Sequence, residues 1–151
     1  MPLTIEDGTG VSGADSFATT AEFDASQVDL FSVALPGTDA EKEASLRRGY
    51  LYMRSLNWTD AAEFPTFSGT IPADIKTAQS ILARAEIGTP GALAPNVVPG
   101  QQKILTRVGE IGWTPTGQTG VDAQRSVVTL AMDLLGAYLN GTGSTKFINR
   151  A

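Results

Sequence analysis

The sequence contains no cysteine and no histidine among its 151 residues. These absences exclude disulfides, thiolate chemistry and the most common zinc ligands. They also remove the side chain that most often transfers protons near neutral pH. Because carboxylates and lysines are the main reactive groups left, we expect no enzymatic activity, no metal site and no cofactor.

Long apolar runs are absent as well. No stretch approaches the ~18 uninterrupted apolar residues that a membrane helix needs. Residues 1–7 lack both the basic region and the apolar run of a signal peptide. We therefore expect the chain to stay in the cytoplasm where it is made and to have no membrane partner.

Basic residues are outnumbered: 11 Lys and Arg face 16 Asp and Glu, which gives a net charge of −5. Proteins that bind nucleic acid without sequence preference gain affinity by neutralising phosphates with Lys and Arg. The acidic balance therefore argues against DNA binding, although a local basic patch remains compatible with it.

The chain length and apolar share of 42% suit a single soluble domain. Capping boxes at Thr19–Glu22 and Thr38–Glu41 predict helices over about 19–33 and 39–56. Pro72 and Gly88 delimit a third helix. On the second helix, a buried stripe is predicted at Leu46, Tyr50 and Met53.

A β-hairpin is predicted near 103–113, where two apolar runs flank Gly109. A fourth helix is predicted from Asp122 to about Asn140. The predicted fold is thus mainly α: a small bundle of about four helices with one hairpin. It spans residues 1–143 and is followed by a flexible C-terminal tail, residues 144–151.

The fourth helix is unusually apolar. Between Val127 and Leu139 its only clearly polar side chains are Thr129 and Asp133. A helix that is apolar on more than one face must be buried almost all round, and copies of the chain are an expected source of that cover. The candidate subunit-interface residues are Val127, Leu130, Leu134 and Tyr138.

Three features invite a binding-site interpretation, and each has a simpler structural one. Residues 8–13 match the G-x-G-x-x-G pattern but lack the βαβ context that nucleotide binding needs, which favours a tight glycine-rich loop. The carboxylates of Asp7, Asp15, Glu22 and Asp24 fit caps and turns better than a metal site. Trp58 and Trp113 lack interleaved cations, so packing is favoured over base stacking.

The C-terminal tail has two interpretations, which the sequence leaves open. It is either a frayed terminus or a peptide that orders when it docks into a partner, with an apolar pair as its anchor. The candidate docking residues are Lys146, Phe147, Ile148, Asn149 and Arg150.

The order of motifs resembles the head-to-tail connector (head-completion) proteins of tailed phages. The similar segments are the opening 6–17, the helix 46–51, the segment 71–78, the hairpin 108–111 and the apolar end 134–139. The resemblance spans roughly residues 3–143. Two stretches depart from it: residues 63–67, where the family commonly has a Trp-Pro-Arg-like stretch, and the tail beyond Gly143.

The resemblance implies a structural adaptor at the virion neck, assembled in the host cytoplasm as a ring of about twelve copies. Its implied partners are the portal protein, the tail or next connector (stopper or tail terminator) and other copies of itself. Genomic DNA would pass through the lumen only as cargo. Members of the family are often described as DnaT-like, so the alternative function is a single-stranded-DNA-binding module.

Overall fold

The computed structural model describes residues 1–94, 107–108, 111–112 and 128–141. The predicted fold class is confirmed, since this part of the chain is mainly helical. The helices and strands are α1 (Thr20–Phe31), α2 (Asp39–Arg54), α3 (Ala73–Gly88), β1 (Arg107–Val108), β2 (Ile111–Gly112) and α4 (Thr129–Leu135). Single-turn 3-10 helices occur at Asp60–Ala62 and Phe67–Gly69.

Both predicted capping boxes are present and set the starts of α1 and α2. Thr19 accepts a hydrogen bond from the Glu22 backbone N–H, and the Glu22 carboxylate accepts one from Thr19 in return. Thr38 and Glu41 repeat the arrangement. Each box satisfies backbone donors that would otherwise be unpaired in the first turn.

Helices α2 and α3 pack against each other to form the centre of the domain. The predicted stripe of α2 is confirmed, because Leu46, Tyr50 and Met53 are all buried. Gly49 lies against the backbone of α3, so the two helices approach closely at this point. From α3, Ile75 and Leu82 are fully buried on the facing side.

Gln79 of α3 joins this centre to the N-terminal segment. Its amide oxygen accepts from the Phe17 backbone N–H at 2.9 Å, and its nitrogen donates to Ser16 Oγ and the Leu46 carbonyl, both at 3.0 Å. Within the N-terminal segment, Ile5 and Ser16 form a parallel bridge.

Helix α4 ends earlier than predicted. The expectation that it continues to about Asn140 is wrong, because the chain leaves the helix after Leu135 to pair with the loop after α2. Trp58 and Leu139 form an antiparallel bridge, and the Asn140 N–H donates to the Asn57 carbonyl at 2.8 Å. These long-range bonds replace the last helical turn.

The predicted hairpin is confirmed at its paired residues: Arg107 pairs with Gly112 and Val108 with Ile111, antiparallel. The start of the fourth helix as predicted, from Asp122 through Val127, lies outside the described residues. The C-terminal tail, including all five candidate docking residues, and Trp113 also lie outside them.

Candidate assembly surfaces

The glycine-rich opening folds around a carboxylate of its own. Glu6, which is almost fully buried, accepts hydrogen bonds from the backbone N–H groups of Gly8 and Gly10 at 2.9 Å and of Val11 at 3.0 Å. Gly8 and Gly10 have positive φ, which lets successive N–H groups converge on one point. The loop is an anion-binding nest that already contains an anion.

This arrangement supports the expected tight loop over nucleotide binding. A phosphate would have to displace the Glu6 carboxylate and leave it buried without its partners, which is costly. Nearby, burial and then the charge of Glu6 raise the pKa of the Tyr50 hydroxyl. The glycine-rich motif at residues 8–13 therefore binds a carboxylate of the protein's own fold.

Three other acidic residues in and before α1, Asp15, Glu22 and Asp24, each have a partner on another helix. Asp15 contacts the Arg47 guanidinium at 2.7 Å, and Asp24 contacts the Lys42 ammonium at the same distance. Burial raises the pKa of Glu22, but hydrogen bonds from Lys76 and Thr19 outweigh that effect and hold it below its usual value. Glu22 thus has the expected cap role, whereas Asp15 and Asp24 instead form ion pairs with residues of α2.

The described residues show neither a metal-binding cluster nor a membrane-spanning helix. They contain no group of three or more acidic side chains placed to hold a metal ion. None of their helices is long and apolar enough to cross a membrane.

The aromatic rings of the described residues pack mainly against one another. Trp58 stacks on Phe64 with ring centroids 4.5 Å apart, and its indole N–H donates to the Met53 carbonyl at 2.8 Å. Phe67 meets Trp58 edge-on, and Phe17 touches Phe64 and Phe67 in turn. Packing, the interpretation favoured from sequence, is therefore what Trp58 does.

Most Lys and Arg side chains of residues 1–94 also contact other side chains of the protein. Ion pairs join Lys42, Arg47, Arg48 and Lys76 to acidic side chains. Arg84 donates to Gln27 and stacks on the Phe31 ring, 4.3 Å from its centroid. Among the six Lys and Arg side chains of residues 1–94, only Arg54 has no ion pair or side-chain hydrogen bond. Little positive charge there is left for phosphate.

The predicted interface residues of α4 and the turn that follows it occupy different environments. Leu130 is 52% exposed, whereas Leu134 and Tyr138 are half-buried and pack on the core. Ala131 and Leu135, on the inward side, are fully buried. A single chain therefore covers one side of α4 and leaves Leu130 facing outward.

Leu130 borders a groove between three helices. Phe31 of α1, Ile81 and Ala85 of α3, and Val128 before α4 line the groove beside it. Because these residues come from separate parts of the sequence, the fold brings together an apolar surface that no local pattern predicts.

Helix α1 carries apolar side chains that sequence reasoning did not single out. Its fully buried residues are Phe23 and Gln27, while Val28 and Leu30 are about half exposed. Polar contacts to Lys42, Lys76 and Arg84 hold its inner side. The feature of the sequence that could have revealed this arrangement is Gln27, a polar residue at a position of α1 where an apolar one would be expected.

A second surface lies across α2 and α3, around Arg48. Its Nε donates to Glu86 Oε2 at 2.7 Å, and Glu86, only 1% exposed, also accepts from the Gly91 and Leu93 backbone N–H groups. Two clefts, of about 530 Å³ and 350 Å³, open on either side of this ion pair. Glu86 thus fixes both the loop that follows α3 and the arginine between the clefts.

The sequence matches, over residues 1–151, the protein family described as "Putative DnaT-like ssDNA binding protein". The chain belongs to this family. A search of curated proteins found no match, and a search of solved structures found none either.

For this DnaT-like family member, the match covers the nest around Glu6, all four described helices and the two surfaces at Leu130 and Arg48. The family match and the resemblance seen in the sequence agree on one point, which is the DnaT-like description of the family.

Proposed function

We propose that the chain is a non-catalytic structural subunit that packs side by side with copies of itself into a ring. The observation that carries this proposal is the exposure of Leu130 beside Val128 and Phe31. Contiguous apolar surface on a small protein marks an interaction site, because water contact with it is unfavourable. A neighbouring copy would cover it.

The proposal includes the setting of the ring. It would dock on a portal protein at the virion neck and receive the tail or next connector on its other side, with genomic DNA passing through. The net charge of −5 supports this, since a negative lumen wall would let DNA slide without sticking. A basic lumen in the assembled ring would contradict that part of the proposal.

The test is co-elution with the cognate portal, followed by electron microscopy of the complex. We expect the full chain to bind and to form rings. A truncation after Gly143 removes the candidate docking residues 146–150 and should lose binding.

Three outcomes are distinguishable. Equal binding by both chains would show that the tail does not dock on the portal. Loss of binding by the truncation alone supports its docking role. If neither chain binds and both sediment as monomers, the adaptor proposal is wrong.

The family description favours a second candidate function, the binding of single-stranded DNA. That function predicts micromolar or tighter affinity that falls steeply with salt, since phosphate contacts release counterions. Its test is the fluorescence anisotropy of a labelled oligothymidylate at low and high salt. Arg54→Ala is the informative variant, because Arg54 is exposed and no described acidic side chain pairs with it. No change in anisotropy at low salt would exclude this function.

A further inference from the structure

Arg48 lies between two clefts whose linings include apolar side chains. Only its Nε is bonded to Glu86, and its two terminal nitrogens have no partner among the described residues. Ala44 and Ile87 line the cleft on one side, which we call the Ala44 cleft. Leu51 and Leu93 line the other, the Leu51 cleft. The complementary ligand is a carboxylate flanked by two apolar side chains.

The side chain of Arg48 is oriented so that it can bind such a ligand. Glu86 is buried and fixed by backbone N–H groups, so it anchors Nε and turns the rest of the guanidinium away from the core. A guanidinium binds a carboxylate through two parallel hydrogen bonds when its terminal nitrogens are accessible. Leu51, 58% exposed at the rim, adds apolar surface that the described residues leave uncovered.

Helix α1 of the same protein carries this ligand pattern. Val28, Asp29 and Leu30 are consecutive, and all three are exposed. Because each helical residue turns by about 100°, Val28 and Leu30 lie about 100° to either side of Asp29, on the two flanks of α1. Asp29 itself lies almost opposite the buried Gln27, so it points away from the bundle. We call these three residues the Asp29 ridge.

The ridge cannot reach the Arg48 surface of its own chain. Helix α1 is tied to α2 through the Asp24–Lys42 ion pair and to α3 through Glu22–Lys76. Lys42 and Arg48 are six positions apart on α2, which places them about 120° apart around its axis. The Arg48 surface therefore faces a different direction from the helix that would fill it.

We propose that the Asp29 ridge of one copy docks across Arg48 of the next. Asp29 binds the terminal nitrogens of Arg48, and Val28 and Leu30, on the two flanks of the helix, contact the rims of the Ala44 and Leu51 clefts. The two surfaces differ, so the contact is head-to-tail, and repeated head-to-tail contacts close into a ring when the rotation allows. This inference rests on the proposed function and adds a second contact between neighbouring copies to the one that would cover Leu130.

Cysteine crosslinking tests the contact, because the natural chain has no cysteine to give background. Ala25→Cys lies one turn from Asp29 on the ridge side of α1, and Ser55→Cys lies at the rim of the Leu51 cleft. Both positions are exposed and leave Asp29 and Arg48 intact. The full chains carrying each substitution are mixed and treated with a short bismaleimide.

We expect a crosslinked dimer from this mixture. The matched control replaces Ala25→Cys with Ala73→Cys, another exposed helical alanine, and should give no dimer above background. Adding Asp29→Asn to the Ala25→Cys chain should lose most of the dimer, and raising salt should lower its yield, since an interfacial ion pair is screened. Circular dichroism confirms that each variant is folded.

The results separate this contact from the proposed function. If rings form on the portal but the mixture gives no more dimer than the control, the contact is wrong and the ring proposal stands. If each cysteine variant crosslinks to itself rather than to the other, the interface is two-fold and the head-to-tail proposal is overturned. If the chain neither crosslinks nor forms rings, both proposals fail.

Discussion

Gly8 packs directly against the backbone of Gly69. A Cβ added to Gly8 would lie 2.5 Å from the Gly69 carbonyl carbon, closer than real side chains approach. Gly8 also has a φ of +104°, which L side chains rarely adopt. The glycine-rich opening is thus locked onto the loop before α3 by a contact between two residues without side chains.

We therefore predict that Gly8→Ala destabilises the protein by about 2 kcal/mol or more, since a strained backbone costs roughly 1–2 kcal/mol and overpacking adds to it. Gly13→Ala is the control, because Gly13 has positive φ but open space around it. Urea denaturation measures both. Equal losses of unfolding free energy would mean that the contact with Gly69 contributes nothing.

Replacing Glu6 with glutamine tests the nest. The substitution puts an amide NH₂ where a carboxylate oxygen accepts from Val11, and it removes the charge from all three hydrogen bonds. Because hydrogen bonds to charged groups contribute about 1.5–3 kcal/mol each, we expect a loss within that range in the free energy of unfolding.

Asp7→Asn is the matched control for Glu6→Gln. Asp7 is exposed and accepts only from Thr9, through an oxygen that asparagine retains. We expect its unfolding midpoint to stay close to that of the natural chain. A Glu6→Gln variant as stable as Asp7→Asn would show that the nest needs no charge.

The capping box of α1 predicts a pH dependence of stability. The pKa of Glu22 lies below its ordinary value of 4.5 in the folded protein. The folded state therefore favours the ionised carboxylate, so this contribution is present above pH 4.5 and is lost as the pH falls through the lower folded value. Glu22→Gln should destabilise the protein at neutral pH, and the difference should shrink in acid. A difference that grows in acid would contradict the assignment.

Two leucines of α4 should separate assembly from stability. Leu135 is fully buried, so Leu135→Ala should cost about 2–5 kcal/mol of unfolding free energy. Leu130 is half exposed, so Leu130→Ser should change stability little while lowering self-association. Thermal unfolding and sedimentation velocity measure the two properties. Unchanged sedimentation of Leu130→Ser under conditions where the natural chain assembles would remove Leu130 from the interface.

The helices were predictable where local chemistry determines them. The capping boxes at Thr19 and Thr38 act within four residues, and the Leu46, Tyr50 and Met53 stripe follows the helical period. The end of α4 was not predictable in the same way. It depends on pairing between Trp58 and Leu139, which no short window of sequence contains.

The candidate surfaces were predictable only in part. The apolar excess of α4 pointed to Leu130, but the exposure of Val28 and Leu30 on α1 was not predicted. The inner side of α1 is filled by Gln27, whose amide donates to the Ser80 carbonyl 53 positions away. A polar residue at an inward position interrupts the apolar period that marks an amphipathic helix. Its partner, Ser80, is too distant in the sequence for the contact to be recognised.

Because α1 is attached mainly by polar contacts, its local stability should depend on salt more than that of α2 and α3. Phe23 is the one fully buried apolar side chain of this helix, and the ion pairs that reach Lys42 and Lys76 remain partly open to water. Dissolved ions screen such pairs but leave the packed centre between α2 and α3 untouched. Concentrated salt should thus loosen α1 ahead of the rest, and its amide protons should exchange with solvent sooner than those of α3.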